Sequence, residues 1–393
     1  MNTTWKRLEE LRLQQNQMKE KSALAIANNT TWTHLKILHL SWNEFGDQGG
    51  TTIGSNISWK RVEKLNLNWC QLGEKSAAAL GNNKTWIHLK RLELSNNHFG
   101  PEGGAAIAQD MSWENLEILT LSGNHLGDKG ASSIASNTSW KKLTHVAFDV
   151  NEITDEGADT IGRNVTWKNL EILELSNNQI GCRGAFVIAS NMIWKNLKKL
   201  YFSKNFIGNE GGAAFGRNSL WRHLVTLKLD YNQIGDDEAL GIANNTSWKK
   251  MNEINFGNNK IRDDGAIALG KNSTWRYLET LGLSNNMIGN KGAIGLANNQ
   301  TWRILKRLDL PGNQIGDDGG RAIGQNKSWK ALLVLNLANN RVGWKTAVEF
   351  AHKEDWKAIN RFFLTRNTNL SSIERRNALH ALKASKPRSA LSF

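Results

Sequence analysis

Cysteine, proline and long apolar runs are scarce in this 393-residue sequence. Two cysteines, Cys70 and Cys182, are too few to staple a chain of this length, which excludes a disulfide-rich secreted scaffold. Two thiols and nine scattered histidines also give no zinc-ligand spacing, so neither a metal nor another cofactor is expected. Apolar runs stay well below the roughly 18 residues that cross a bilayer, which excludes a membrane-spanning helix. A phosphate-binding loop is missing too: Gly46-Asp47-Gln48-Gly49-Gly50 is glycine-rich but lacks the Lys-Ser/Thr ending. Three prolines leave long stretches uninterrupted, and 39% hydrophobic residues set at a fixed period do not suit a disordered chain.

What is present is tryptophan at a constant interval. Trp5, Trp32, Trp59, Trp86, Trp113, Trp140, Trp167, Trp194, Trp221, Trp248, Trp275, Trp302, Trp329 and Trp356 all stand 27 residues apart. A period of this size marks stacked repeats rather than independent globular domains. With Trp as repeat position 1, the segment from Trp167 places Leu170, Leu173, Leu175, Asn178 and Ile180 at positions 4, 7, 9, 12 and 14. Positions 7 and 9 alternate with polar neighbours, which predicts a short strand with one buried face: Leu119 and Leu121 inward, Ile118, Thr120 and Ser122 outward. Gly at position 15 (Gly46, Gly73, Gly100, Gly127) suits a tight turn with positive φ. A helix of about two turns follows, with Ala105, Ile107 and Ala108 facing inward in one repeat. Asn at position 25 (Asn56, Asn83, Asn137) then suits a left-handed helix end. The position-1 tryptophans read as a buried spine, because a binding site does not need the same residue in every repeat.

The pattern L-x-x-L-x-L-x-x-N-x-I resembles the leucine-rich repeat family, and the tail from Gly316 to Asn326 resembles its ribonuclease-inhibitor-like subtype. The 27-residue length and the leading Trp depart from the commoner 28-to-29-residue pattern. The resemblance implies an α/β solenoid curved as a horseshoe, with a parallel sheet on the concave face and short helices on the convex face. It also implies a ladder of hydrogen bonds from the position-12 asparagines, which occupy thirteen of fourteen repeats with Cys70 as the exception. Thirteen regular repeats are expected over residues 1–355. A degenerate last repeat, a capping helix and a short basic tail are expected over 356–393. Ser371-Ser372-Ile373-Glu374 is a capping-box pattern that would open that helix and run to about Ala384. Only four residues precede Trp5, so either the first repeat closes the core itself or the chain is part of something longer. With no secretion signal and no cysteine-rich cap, the expected setting is the cytoplasm, or a host cytosol if the protein is an effector. The N-x-S/T matches at Asn29, Asn83, Asn137 and Asn272 read as structural, since the Asn recurs in every repeat.

The net charge of +14 is organised. Position 2 is Lys or Arg in eleven of fourteen repeats: Lys6, Lys60, Lys141, Lys168, Lys195, Arg222, Lys249, Arg276, Arg303, Lys330 and Lys357. This column is either a solvated edge or a binding stripe for nucleic acid or an acidic membrane. Acidic residues recur at positions 16 and 17, where a helix N-terminus favours them.

Columns that vary within the array are where binding is read. Position 8 carries His39, Glu93, Glu174, Tyr201 and Lys228; position 11 carries Trp42, Trp69, Lys204 and Tyr231; position 13 carries Glu44 and Phe206. Trp42 and Trp69, with His39 and Glu44 nearby, form one candidate cluster; Tyr201, Lys204, Phe206, Lys228 and Tyr231 form a second. Large aromatics beside charges on an exposed sheet have the composition of interface hot spots. His39, His98 and His125 share no column with a Ser or Cys nucleophile, so no catalysis is expected. The expectation is a monomeric scaffold that binds a protein. Two alternatives stand beside it: anion binding through the basic edge, and a regulatory module such as an immune-type sensor fragment, a GTPase regulator or a bacterial effector.

Overall fold

A computed structural model describes residues 5–343, 346, 350, 358–367 and 390–392. Trp356 and the helix expected from Ser371 to Ala384 lie outside the described residues. The chain divides into two compact units, Met1–Leu197 and Lys198–Phe393.

The first unit carries strands β1 (Glu10–Arg12), β2 (Ile37–His39), β3 (Lys64–Asn66), β4 (Arg91–Glu93), β5 (Ile118–Thr120), β6 (His145–Ala147) and β7 (Ile172–Glu174), paired in parallel in chain order. The second carries β8 (Lys199–Tyr201), β9 (Thr226–Lys228), β10 (Glu253–Asn255), β11 (Thr280–Gly282), β12 (Arg307–Asp309), β13 (Val334–Asn336), β14 (Arg361–Phe363) and β15 (Ala390–Ser392), again parallel and in order. From β1 to β14 each strand covers repeat positions 6–8, and the register is one residue opposite its equivalent 27 later. β15 pairs with β14 at a spacing of 29, so the stretch expected to be a basic tail ends in a strand. Between strands run helices of eight to ten residues, for example Gly100–Ala108 and Asp317–Gln325. Each unit is thus an open, curved α/β solenoid, the fold class expected.

The core repeats with the sequence. Trp167, Leu170, Leu173, Leu175, Ile180, Ala185 and Ile188 are all fully buried. The tryptophan spine is buried from Trp32 to Trp329, and Trp113–Trp140 and Trp302–Trp329 stack with centroids 6.2 and 6.3 Å apart. Trp5 departs from that expectation at 53% exposure. Burying each ring removes about 150–250 Å² from water, an upper bound of about 4–6 kcal/mol. The inward helix face also differs from expectation. Gly103, Gly104 and Ile107 are buried, while Ala105 and Ala108 are half-buried. Glycine is needed because neighbouring helices touch there: a Cβ on Gly104 would lie 2.8 Å from Gly130 Cα.

Two side-chain ladders fix repeat to repeat. At position 12, Asn97 Nδ2 donates to the Leu67 and Leu94 carbonyls, and its Oδ1 accepts from the Cys70 and Leu72 N–H groups. Cys70 keeps the donor half of that role, its thiol pointing at the Leu40 carbonyl at 3.2 Å. Burial pushes this thiol up to about 12, so it stays protonated. At position 25 the expected left-handed conformation is absent: Asn137 has φ −68° and ψ 121°. The extended backbone lets Asn137 Oδ1 accept from the Ser139 and Trp140 N–H groups while Nδ2 donates to the Ala108 and Asp110 carbonyls of the repeat before.

The turn into each helix has two forms, chosen by the preceding repeat. In several repeats that follow an Asp or Asn at position 16, position 15 is extended and donates to it, whereas Gly235, also extended, donates to Glu238 of its own helix. Gly73 N bonds Asp47, Gly181 N bonds Asp155, Gly289 N bonds Asp263 and Gly316 N bonds Asn290. Gly73, with φ −118°, therefore does not take the positive φ expected of it. Where Glu20, Glu74 or Pro101 stands there instead, Gly46, Gly100 and Gly127 turn to φ +65°, +64° and +54°, and bond forward to the Cys70, Asn124 and Asn151 carbonyls. The acidic column therefore caps the helix one repeat onward rather than its own: Asp47 also accepts from Lys75 N, Ser76 N and Ser76 Oγ. Burial raises the Asp47 pKa, but these four donors outweigh it and hold the carboxyl below its ordinary range.

Candidate functional site

The residue leaving each strand, position 11, sits in the left-handed region in all fourteen repeats, with φ between 50° and 68°. Its N–H must reach the next repeat: Trp42 N bonds the Asn68 carbonyl and Trp69 N the Ser95 carbonyl. Asn and Gly tolerate this conformation, and Asn96, Asn177, Asn258, Asn285, Asn339, Gly123 and Gly312 supply it. Trp42, Trp69, Val150 and Tyr231 do not fit it, since a bulky or β-branched side chain here costs about 1–2 kcal/mol. The frame admits these residues without asking for them.

In the first unit, Trp42 and Trp69 stack with centroids 4.7 Å apart and planes 14° from parallel, and are 51% and 46% exposed. Beside them lies a cleft of about 470 Å³, lined by Gln17, Glu44, Gln71, Asn96, His98 and His125 as well as both indoles. Glu44 faces Lys19 at 4.0 Å, and His125 Nδ1 lies 2.7 Å from Glu152. An aromatic wall with carboxylate, amide and imidazole groups around it can take an apolar side chain and hydrogen-bond the backbone that carries it.

In the second unit a cleft of about 420 Å³ is lined by Lys204, Phe206, Tyr231, Gln233, Asn258 and Lys260. Lys204 Nζ stands 5.8 Å from the Tyr231 ring centroid, and Lys228 Nζ stands 5.6 Å from that of Tyr201. Lys228 also pairs with Glu253 at 3.1 Å. Phe206 and Tyr231 are 56% and 49% exposed, so this cleft joins apolar surface to cationic rims.

The other predicted residues lie on the strand face. His39 is half-buried at the end of β2, and burial, then the Arg12 charge, lower its pKa against the opposing pull of Glu93 and Glu10. Glu93 accepts from Asn66 Nδ2 at 3.1 Å. Glu174 Oε1 lies 2.8 Å from His145 Nε2. It also faces Asp149, whose carboxyl is pushed up to about 8, first by burial and then by Glu174 itself. Asp149 Oδ1 in turn takes the Ser176 N–H at 2.5 Å.

A leucine-rich repeat model matches nine segments: residues 33–54, 87–108, 114–135, 168–189, 195–216, 222–243, 249–270, 276–297 and 303–324, just over half of the chain. This is a leucine-rich repeat protein. Its fold resembles an internalin from Listeria monocytogenes at 20% identity and TM-score 0.60, covering 87% of this chain and 82% of that one. It also resembles the ectodomain of the plant membrane receptor kinase GASSHO1/SCHENGEN3 from Arabidopsis thaliana, solved in complex with CASPARIAN STRIP INTEGRITY FACTOR 2, at 18% identity and TM-score 0.53. That match covers 98% of this chain and 47% of the ectodomain. A TDR receptor matches at 15% identity and TM-score 0.56, over 93% of this chain and 60% of the receptor. The chain thus spans less than two thirds of both receptor chains. No curated protein matches it.

In this leucine-rich repeat protein the variable columns separate into distinct places. Trp42, Trp69 and Glu44 share the first cleft, and Lys204, Phe206 and Tyr231 share the second. His39, Glu93, Glu174, Tyr201 and Lys228 line neither cleft. Sequence reasoning left Gln17, Gln71, Asn96, His98 and His125 out of the first site. Four of them stand at position 13 and Asn96 at position 11, and the closeness of those two columns along one edge was the available signal. Asp149 and His145 were also missed: position 10 varies, carries Asp230 as well, and gives Asp149 no mark of its own. The asparagines of the N-x-S/T matches are buried: Asn29, Asn83, Asn137 and Asn272 are at most 6% exposed, and their amides are committed to the position-25 ladder. Among the described residues no cluster of three potential metal ligands occurs, and no helix is long and apolar enough to cross a membrane.

Proposed function

We propose that the protein is a non-enzymatic scaffold that binds a protein partner on its concave sheet face, with the Trp42–Trp69 cleft as the principal anchor and the Lys204–Tyr231 cleft as a second. The observation carrying this reading is the stacked pair itself: two half-exposed indoles in adjacent repeats, both at a φ that favours Asn or Gly. Backbone strain tolerated at an exposed position, in a frame that offers cheaper residues elsewhere, points to a role outside folding. Leucine-rich repeats are typically protein-binding scaffolds. The GASSHO1/SCHENGEN3 ectodomain, held in complex with a separate factor, offers a precedent for a partner on such a frame.

Two cysteines that form no disulfide support a reducing, cytoplasmic setting, and the helix in every described repeat supports the ribonuclease-inhibitor-like subtype. We read residues 1–355 as the regular array, 356–393 as its closing segment, and the chain as a monomer. The test is affinity capture from lysate, then titration of the captured protein against variants. Trp42→Ala/Trp69→Ala is expected to weaken binding at least about tenfold, and Tyr201→Ala/Tyr231→Ala to weaken it less. Unchanged affinity in both, with melting intact, overturns the reading.

A further inference from the structure

We infer that the loop edge of the first unit, where each helix returns to its strand, is a docking edge for an anionic lipid surface. The loop runs over positions 25 to 2 and is held from within. In Asn164-Val165-Thr166-Trp167-Lys168, Asn164 Oδ1 accepts the Thr166 and Trp167 N–H groups at 3.0 and 2.8 Å, and Lys168 N donates back to the Thr166 carbonyl at 2.8 Å. The next loop is locked onto it, since Asn191 Nδ2 donates to the Gly162 and Asn164 carbonyls. Trp167 goes into the core, leaving Val165 and Lys168 as the side chains presented to solvent at the apex.

Two independent features coincide there. Four of the seven position-26 side chains of this unit are large and apolar: Ile57, Met111, Val165 and Met192 are 68%, 50%, 64% and 62% exposed, with Thr30, Lys84 and Thr138 at the other three places. Three residues after Ile57, Val165 and Met192 stand Lys60, Lys168 and Lys195, and Lys141 holds the same place after Thr138; all four lysines are exposed, and none of them joins an ion pair among the described residues. Arg61 and Lys142 add charge beside them, and Glu114 is the only acid in the position-2 column of this unit. The frame does not require the apolar tips, because the same loop is built with Thr30, Lys84 and Thr138 in this unit and with Ser219, Thr246, Ser273, Gln300 and Lys327 in the second. Aliphatic tips give nothing to a polyanionic nucleic acid, which gains from aromatic stacking and cations. A lipid interface uses both features: headgroup charge for the lysines and the acyl boundary for Ile, Val and Met. Because the loops are pinned, these groups are already in place before docking.

The test is co-flotation of the full chain with vesicles of phosphatidylcholine alone or mixed with phosphatidylserine, and, separately, binding to a single-stranded oligonucleotide. Partition onto the phosphatidylserine vesicles is expected, falling steeply with salt. It should drop at least about tenfold in Lys141→Glu/Lys168→Glu/Lys195→Glu and severalfold in Val165→Ser/Met192→Ser, with both variants melting as the parent does. No preference for the anionic vesicles overturns the inference. So does full retention of vesicle binding in Val165→Ser/Met192→Ser, and so does oligonucleotide binding tighter than vesicle binding that ignores that pair.

Discussion

After β2 and β3 in the first unit the chain turns on Trp42 and Trp69; after β8 and β9 in the second it turns on Lys204 and Tyr231. The backbone does the same thing at all four places, with φ between 56° and 60°. The first pair makes a neutral indole wall near Glu44, His98 and His125, whereas the second sets a cation over an aromatic ring with Lys260 nearby. The helix-return loops differ too, with apolar tips at Ile57, Met111, Val165 and Met192 in the first unit and polar ones from Ser219 to Lys327 in the second. The turns into the helices, by contrast, take both forms in each unit: Gly46, Gly100 and Gly127 of the first and Gly208 of the second have positive φ, while Gly73 and Gly181 of the first, like Gly289 and Gly316 of the second, are extended and tied to the acid or amide of the repeat before. A constant frame with contrasting substitutions shows that two kinds of surface can be carried by one set of packing rules.

That comparison can be broken most forcefully at the shared spine. Trp167→Ala and Trp302→Ala are each expected to cost about 3–5 kcal/mol in denaturant melts. A difference between them well beyond measurement error would mean the units are not built alike. Trp167→Phe should cost far less, because among the described residues the Trp167 indole N–H has no acceptor to lose.

The turns give a contrast of intermediate size. Gly100→Ala forces a Cβ into φ +64° and should cost about 1–2 kcal/mol. Gly316→Ala, at φ −100°, should cost clearly less, with a Cβ that meets the Asn290 side chain at 3.3 Å and the Arg341 carbonyl oxygen at 3.8 Å. Equal losses would remove the distinction between the two turn forms. Asp47→Ala should cost about 1–2 kcal/mol at neutral pH by stripping the cap from the next helix. The folded Asp47 pKa is lowered, so its contribution is present above the ordinary carboxylate pKa and fades as pH falls through the folded value. Parent and variant melts should therefore converge in acid.

Asp149 works in the opposite sense. Its pKa is raised to about 8, so folding favours the protonated form, and stability is lost as pH rises from the ordinary carboxylate range towards 8. Asp149→Asn should melt above the parent at pH 8–9 by about 3 °C or more, and alongside it near pH 4. The smallest effect is expected at the stacked pair. Trp69→Asn relieves a left-handed indole but loses its stack, leaving stability within about 1 kcal/mol of the parent. If the cleft is the binding site, affinity falls all the same.

Much of this was readable in the 27-residue period. Leu173 and Leu175 alternate because a strand has two faces, Asn178 recurs because each turn needs a buried amide, and Trp167 recurs because each repeat has the same gap to fill. The candidate aromatics were readable too, as departures from columns that are otherwise uniform. What could not be read were relations between repeats. The Asp47 carboxyl serves Gly73 and Ser76 rather than its own helix, and the choice of turn at Gly100 or Gly316 is made by Glu74 or Asn290 one repeat earlier. Position-25 asparagines look like helix ends in sequence, yet their extended backbone is set by carbonyls of the preceding repeat. Asp149, Glu174 and His145 meet only because β6 and β7 pair in register. The sequence by itself determined which residues fold the array, since burial and strand alternation act within one repeat. Tertiary structure decided φ, charge state and neighbours at the surface, because those depend on hydrogen bonds and fields that cross from one repeat to the next.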